Sequence, residues 1–186
     1  DTLNVNAATP GFAKSFSPAA INQGETSTLT FDIDNSGNAI EATTLAFGDS
    51  FPAGMIVADT PNVTSTCGGA FTATAQAASI DLSGGSVAAG ATCAISVDVR
   101  AISAGTLSNV SDPLTSSLLT APAATADLTV TAAVAPGFAK AFGPATVDQG
   151  QTSTLTFTID NTVNAIEAAS LSFGDTFPTG LIVADT

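Results

Sequence analysis

The sequence predicts an all-β chain of tandem antiparallel β-sandwich repeats, and three observations carry the prediction. Apolar and polar residues alternate with a period of two over several stretches, as on a strand with one buried face, and helical spacing is nearly absent. Explicit turn signals separate those stretches: Asn22-Gln23-Gly24, Asn35-Ser36-Gly37-Asn38, Pro52-Ala53-Gly54, Gly68-Gly69, Gly84-Gly85 and Ser103-Ala104-Gly105. The third observation is repetition. The stretch 10–60 returns as 136–186 at a constant offset of 126 residues, without a gap and with mild exchanges such as Ile21 to Val147 and Met55 to Leu181. Self-similarity this long at a fixed period marks a tandem array.

The strands follow in chain order. Residues 12–16 place Phe12, Lys14 and Phe16 on one face. In 28–34, Leu29, Phe31 and Ile33 share one face while Thr28, Thr30, Asp32 and Asp34 share the other; the second copy keeps this as Leu155, Phe157 and Ile159. Weaker strands are expected at 43–48, 54–58, 70–75 and 78–82. Residues 93–100 alternate again, with Cys93, Ile95, Val97 and Val99 inward. The segment 112–126 is the least patterned and reads as a long connection or irregular edge. Leu128, Val130 and Ala132 mark a closing strand at 127–132. Many short strands at this spacing with one apolar face argue a sandwich.

These elements divide the chain into three parts. Residues 1–9 resemble the junction before the second copy and are expected to be the last strand of a preceding repeat. Residues 10–135 form one complete repeat, and 136–186 the first part of the next. A repeat of about 125 residues is an ordinary size for a domain with its own core. The connection 133–137, Ala-Val-Ala-Pro-Gly, is too short and too stiff for free tumbling, so successive sandwiches are expected to stack end to end as a rod.

Composition narrows the function. Charged residues are 10% of the chain, against about 25% in an average soluble domain. The net charge is −13 with three basic residues, which gives no electrostatic support for binding nucleic acid or anionic lipid. No run reaches the roughly 18 apolar residues that span a membrane. The chain has no His, Tyr or Trp, so a Ser-His-Asp or Cys-His arrangement is impossible and no enzyme is expected. Paired carboxylates remain, but Asp32 becomes Thr158 in the second copy.

Cys67 and Cys93, without His and without further Cys, cannot supply the four ligands of a usual zinc site. A disulfide and two buried thiols are the readings left. Acidic, Thr-rich tandem β-repeats belong mostly outside the cell, where disulfides persist, and this favours the bridge.

The segments FGDSFPAGMIVAD at 47–59 and CGGAFTATAQAASIDLSGGSVAAGATCAISVDV at 67–99 resemble the immunoglobulin-like repeat modules of bacterial surface and secreted fibre and adhesin proteins. In those modules an Asp-x-hydrophobic-Pro-x-Gly turn precedes an aliphatic strand, and a Cys-Gly-Gly segment is answered by a second Cys in a strand, as Cys67 and Cys93 would be here. The resemblance implies an immunoglobulin-like β-sandwich, extracellular or at the cell surface, used in stalks, adhesins or fibres. It brings no catalytic residues.

Several residues invite a sharper reading. Asp34, Asn35, Glu41 and Asp49 recur as Asp160, Asn161, Glu167 and Asp175, so an inter-strand calcium cage is conceivable, although solvated turn carboxylates are the favoured account. No other cofactor is expected. Lys14 and Lys140 are each the single lysine of their copy. The favoured account is an edge strand whose inward or snorkelling lysine blocks wrong pairing; the sharper ones are a carboxylate partner at the domain junction, and a Lys–Asn isopeptide bond for which the sequence names no partner. Thr26, Thr28 and Thr30 form a narrow T-x-T row of good strand residues. Asn62 and Asn109 head N-glycosylation patterns. The expected function is a structural extracellular repeat protein forming a stalk, fibre or filament, with an adhesin-type module for glycan, calcium or a host protein as the alternative. Its expected partners are copies of itself, end to end or by strand exchange.

Overall fold

The computed structural model describes residues 7–184, and they are all-β. The first six residues of the expected preceding strand at 1–9 lie outside the described residues, and 7–9 carry no strand. The chain divides into two compact units between Ala133 and Val134.

Period-two alternation sets the strands of unit 1. They are β1 Gly11–Ser17, β2 Ala20–Asn22, β3 Thr26–Asp34, β4 Ala42–Ser50, β5 Met55–Val57, β6 Thr64–Ser65, β7 Ala70–Thr72, β8 Ser79–Val87, β9 Thr92–Ala101, β10 Gly105–Val110 and β11 Thr125–Thr131. One sheet runs β1-β3-β9-β5, with β6 also on β9. Opposite it lie β4-β8-β7 and β10-β11-β2, and an isolated bridge ties Ala46 of β4 to Thr115 in the segment between β10 and β11. All pairs are antiparallel except β2 with β11, which run parallel. After β1 pairs with β3, Pro18 accepts a hydrogen bond from Ser27 Oγ at 2.7 Å, and the chain crosses to the other layer as β2.

The core is the meeting of inward faces. Leu29, Phe31 and Ile33 of β3 and Ile95, Val97 and Val99 of β9 are fully buried. Against them pack Leu45 and Phe47 of β4, Ile80 and Leu82 of β8, and Leu107 and Leu128 from β10 and β11, all in one cluster. The Phe31 and Phe47 ring centroids are 4.7 Å apart, and Phe12 leans on both at 6.0 and 4.9 Å. The segment 112–126 is irregular but packed: Leu114, Ala121 and Ala124 are buried.

The cysteines form a disulfide between Cys67 and Cys93, with an S–S distance of 2.09 Å. Cys67 lies where the chain passes from β6, on the edge of β9, to β7, on β8. Gly69 makes that crossing tight. Its φ is +72°, and a Cβ there would meet the Ser83 carbonyl oxygen and the Gly85 nitrogen at 2.5 Å, so no other residue fits.

Unit 2 holds β12 Gly137–Gly143 and β13 Thr154–Asp160, paired in the register of β1 and β3. Lys140 lies opposite Phe157 as Lys14 lies opposite Phe31. Phe138, Phe157 and Phe173 repeat the aromatic cluster, with centroids 4.8 to 6.0 Å apart. The buried core residues Leu45 and Phe47 of unit 1 have exposed counterparts in unit 2, Leu171 and Phe173.

Truncating the buried ring in Phe31→Ala is expected to destabilise unit 1 by about 3–5 kcal/mol, read as a lowered urea midpoint. Replacing both cysteines by Ser is expected to cost about 3–4 kcal/mol, the entropy of the loop no longer closed in the unfolded chain; an unchanged midpoint would show that the bridge adds no stability.

Candidate functional site

Three polar side chains from three strands meet inside unit 1. On β1 the alternation that turns Phe12 and Phe16 inward also turns Lys14 inward, leaving its side chain with no exposed surface. On β4 Asp49 follows Leu45 and Phe47 into the core, and its side chain is equally inaccessible. On β10 Asn109 follows Leu107 inward and is 1% exposed. Lys14 Nζ donates to Asp49 Oδ2 at 3.1 Å, and Asn109 Nδ2 donates to the same oxygen at 2.9 Å. Lys14 Nζ also lies 5.7 Å from the centre of the Phe31 ring. Asp49 Oδ1 and Asn109 Oδ1 are buried without a hydrogen-bond partner.

Burial sets the protonation. Desolvation pushes the Lys14 amine below its usual range, against the raising effect of the Asp49 charge. Desolvation pushes the Asp49 carboxyl up; Lys14 and Asn109 oppose that rise, and Asp112 adds to it. Both groups move toward a neutral amine beside a neutral acid, the expected response of a buried charge pair whose desolvation rivals its Coulomb attraction. Lys14 is therefore inward on an edge strand rather than snorkelling, and its carboxylate partner lies within the core of unit 1 rather than at the junction, which corrects the expectation of a junction partner. In unit 2, Lys140 binds Asp175 at 2.8 and 3.0 Å, with both side chains partly exposed.

The calcium cage does not assemble. The side chain of Ser36, and then its amide at 2.8 Å, hold the Asp34 carboxyl below the usual carboxylate range at the surface. Asn35 turns inward instead: its Nδ2 donates to the carbonyls of Ile40, Val87 and Ala88, and its Oδ1 accepts from Asn38. Glu41 is exposed, and Asp49 belongs to the lysine. No cluster of three or more acidic, His or Cys side chains suited to a metal occurs among the described residues.

The two glycosylation patterns separate. Asn62 is exposed, at φ +45°, with its amide on Asp98 at 2.7 Å. Asn109 is a correction: its amide nitrogen is buried on Asp49, out of reach of any enzyme once the domain has folded. Within the Thr row, Thr28 donates to Asp98 at 2.7 Å.

Sequence reasoning missed a second device. Asn38 accepts from the Ala8 amide at 2.7 Å and donates back to the Ala8 carbonyl at 3.0 Å, clamping the chain just before β1. Asn164 does the same to Val134 in unit 2, at 2.9 Å in both directions. The repeated Asn-x-x-Asn spacing was the available signal.

A family model described as "Domain of unknown function (DUF7933)" matches residues 10–130 and again 136–186. The chain belongs to this family. No curated protein matches it. Among solved structures, the collagen-binding domain from a Staphylococcus aureus adhesin is similar at 10% identity, covering 67% of this chain and 99% of that one, with a TM-score of 0.44. The cohesin module from a Clostridium perfringens ATCC13124 family 33 glycoside hydrolase is similar at 8% identity over 67% of this chain and 99% of that one, with a TM-score of 0.47. A collagen adhesin from S. aureus is similar at 10% identity over 82% of this chain and 52% of that one, with a TM-score of 0.43.

Removing the Asn35 side chain takes a donor from three backbone carbonyls, of which that of Ala88 still accepts from the Ala91 amide. Asn35→Ala is expected to destabilise unit 1 by about 1–3 kcal/mol in urea unfolding, with the Cys67–Cys93 bridge intact.

Proposed function

We propose that this family member is a structural, load-bearing module of an extracellular or cell-surface array, in which immunoglobulin-like sandwiches follow one another as a stalk or fibre. The observation that carries this reading is the stretch 10–60 recurring at 136–186, with its first hairpin in the same register in both copies. The disulfide supports an oxidising compartment. Absence of His from the whole chain supports a role without catalytic turnover. The domain limits that go with it are 10–135 for one repeat and 136 onward for the next.

Ala133 N donates to Gln23 Oε1 at 3.4 Å within unit 1, and the next residue, Val134, is held by Asn164 within unit 2. Adjacent residues are thus each held by their own unit. The larger hollow in unit 2 is lined by Phe142, Val147, Leu155, Phe177 and Leu181, the counterparts of Phe16, Ile21, Leu29, Phe51 and Met55, all buried in unit 1. In this reading it is an uncovered core face rather than a ligand pocket. Residues equivalent to β8–β11 would cover it, supplied by the same chain or by strand exchange from a second copy.

Small-angle scattering of chains carrying two, four and six repeats tests the proposal. The maximum dimension is expected to grow by one constant increment per repeat, and imaging of the native assembly is expected to show rods. Compact particles, or dimensions that grow as for freely swivelling beads, would overturn it. A glycan, calcium or host protein bound at equivalent places in successive copies would favour the adhesin-type alternative.

A further inference from the structure

We propose that Lys14 and Asn109 become joined by an isopeptide bond formed inside the folded sandwich, with Asp49 as the residue that promotes it. The inference rests on the buried trio and stands whether or not repeats stack into a stalk. One carboxylate oxygen holds both nitrogens, at 3.1 and 2.9 Å, so the amine and the carboxamide are already neighbours. None of the three side chains reaches solvent, and their surroundings are the apolar cluster around Phe31 and Phe47. Held pairs of this kind react as if at very high local concentration.

The chemistry is an amide exchange. Transfer of a proton from Lys14 to Asp49 leaves a neutral amine with a free lone pair and a neutral carboxyl. The low-dielectric setting favours that state, as the shifts of both groups indicate. A half-turn of the Asn109 carboxamide presents its orphaned Oδ1 to the protonated Asp49, which polarises the carbonyl and stabilises the developing oxyanion. Nζ then attacks Cγ. The Nζ–Cγ bond forms, the Cγ–Nδ2 bond breaks, and Nδ2 leaves as ammonia with its own two hydrogens and one proton from Nζ relayed by Asp49. Nothing is oxidised or reduced, and no co-reactant is required.

The product ties β1, the first strand of the unit, covalently to β10, the last but one. The Cys67–Cys93 loop lies wholly between the joined residues, so the two cross-links are nested. Tension entering before Lys14 and leaving after Asn109 would pass through the new bond and bypass β3, β4, β8 and β9. Unit 2 supplies an internal control: Lys140 and Asp175 form the equivalent pair, but residues 134–186 contain no counterpart of Asn109.

Intact mass spectrometry of the purified, folded chain tests the proposal. The expected mass is that of the disulfide-bonded sequence less one molecule of ammonia, not two. Trypsin is expected to leave Lys14 uncut and to yield 1–100 joined to 101–140, because an acylated lysine is no longer a cleavage site. Lys14→Arg and Asp49→Asn are expected to show the full mass, with folding confirmed by strand circular dichroism and the intact disulfide. A full sequence mass for the folded parent chain overturns the proposal. So does missing ammonia without the branched peptide, or with cleavage after Lys14. The same loss persisting in Lys14→Arg excludes Lys14, and unchanged bond formation in Asp49→Asn removes the role given to Asp49. Should either variant fail to fold, the parent chain's mass and tryptic map decide the question alone.

Discussion

Contact between Phe31 of β3 and Phe47 of β4, with ring centroids 4.7 Å apart, sets the separation of the two layers in unit 1. Aromatic pairs combine large burial with a preferred geometry, and this pair sits where β3, inside one sheet, faces β4, at the end of another. Phe12 closes the cluster from the edge strand. With that spacing fixed, the inward positions of β1, β4 and β10 converge, and the side chains there must share one small, dry volume.

Most of that volume is filled by aliphatic groups, but it also takes in Lys14, Asp49 and Asn109. Withdrawing an ammonium and a carboxylate from water costs several kcal/mol per ion, and a single ion pair repays this incompletely. Sequence economy makes the trio conspicuous, because a chain with only three basic residues has placed one of them where charge is least tolerated. A site that favours neutral forms is a poor stabiliser as an ion pair and a good setting for acyl transfer. The orphaned oxygens of Asp49 and Asn109 point the same way, since buried polar atoms without partners are uncommon.

The framework was legible wherever alternation and burial coincide. Strands expected at 12–16, 28–34, 93–100 and 127–132 are found at 11–17, 26–34, 92–101 and 125–131. The strand β10 went unread because its pattern is inverted: Asn109 faces inward and Val110 outward, so apolar periodicity gives no signal beyond Leu107. Two-residue β6 and three-residue β2 are too short to carry a period. The same inversion hid the site. Asn109 looked like a surface glycosylation position because a three-residue pattern contains no information about which face it occupies. Asp34 and Asp49 looked alike as recurrent acids, yet one caps a surface turn and the other lies in the core.

By itself the sequence determined the class of object: an all-β, acidic repeat without the side chains most enzymes need, and with two cysteines too few for a usual zinc site. Those features are local or compositional, and period two, turn chemistry and charge can be read one segment at a time. Tertiary structure alone decided which lysine, carboxylate and carboxamide meet. Lys14 and Asn109 are 95 positions apart, and they lie on strands of different sheets. Their encounter depends on how far apart the aromatic core holds the layers and on which way each strand's pleat turns, and neither quantity is written in any single stretch of the chain.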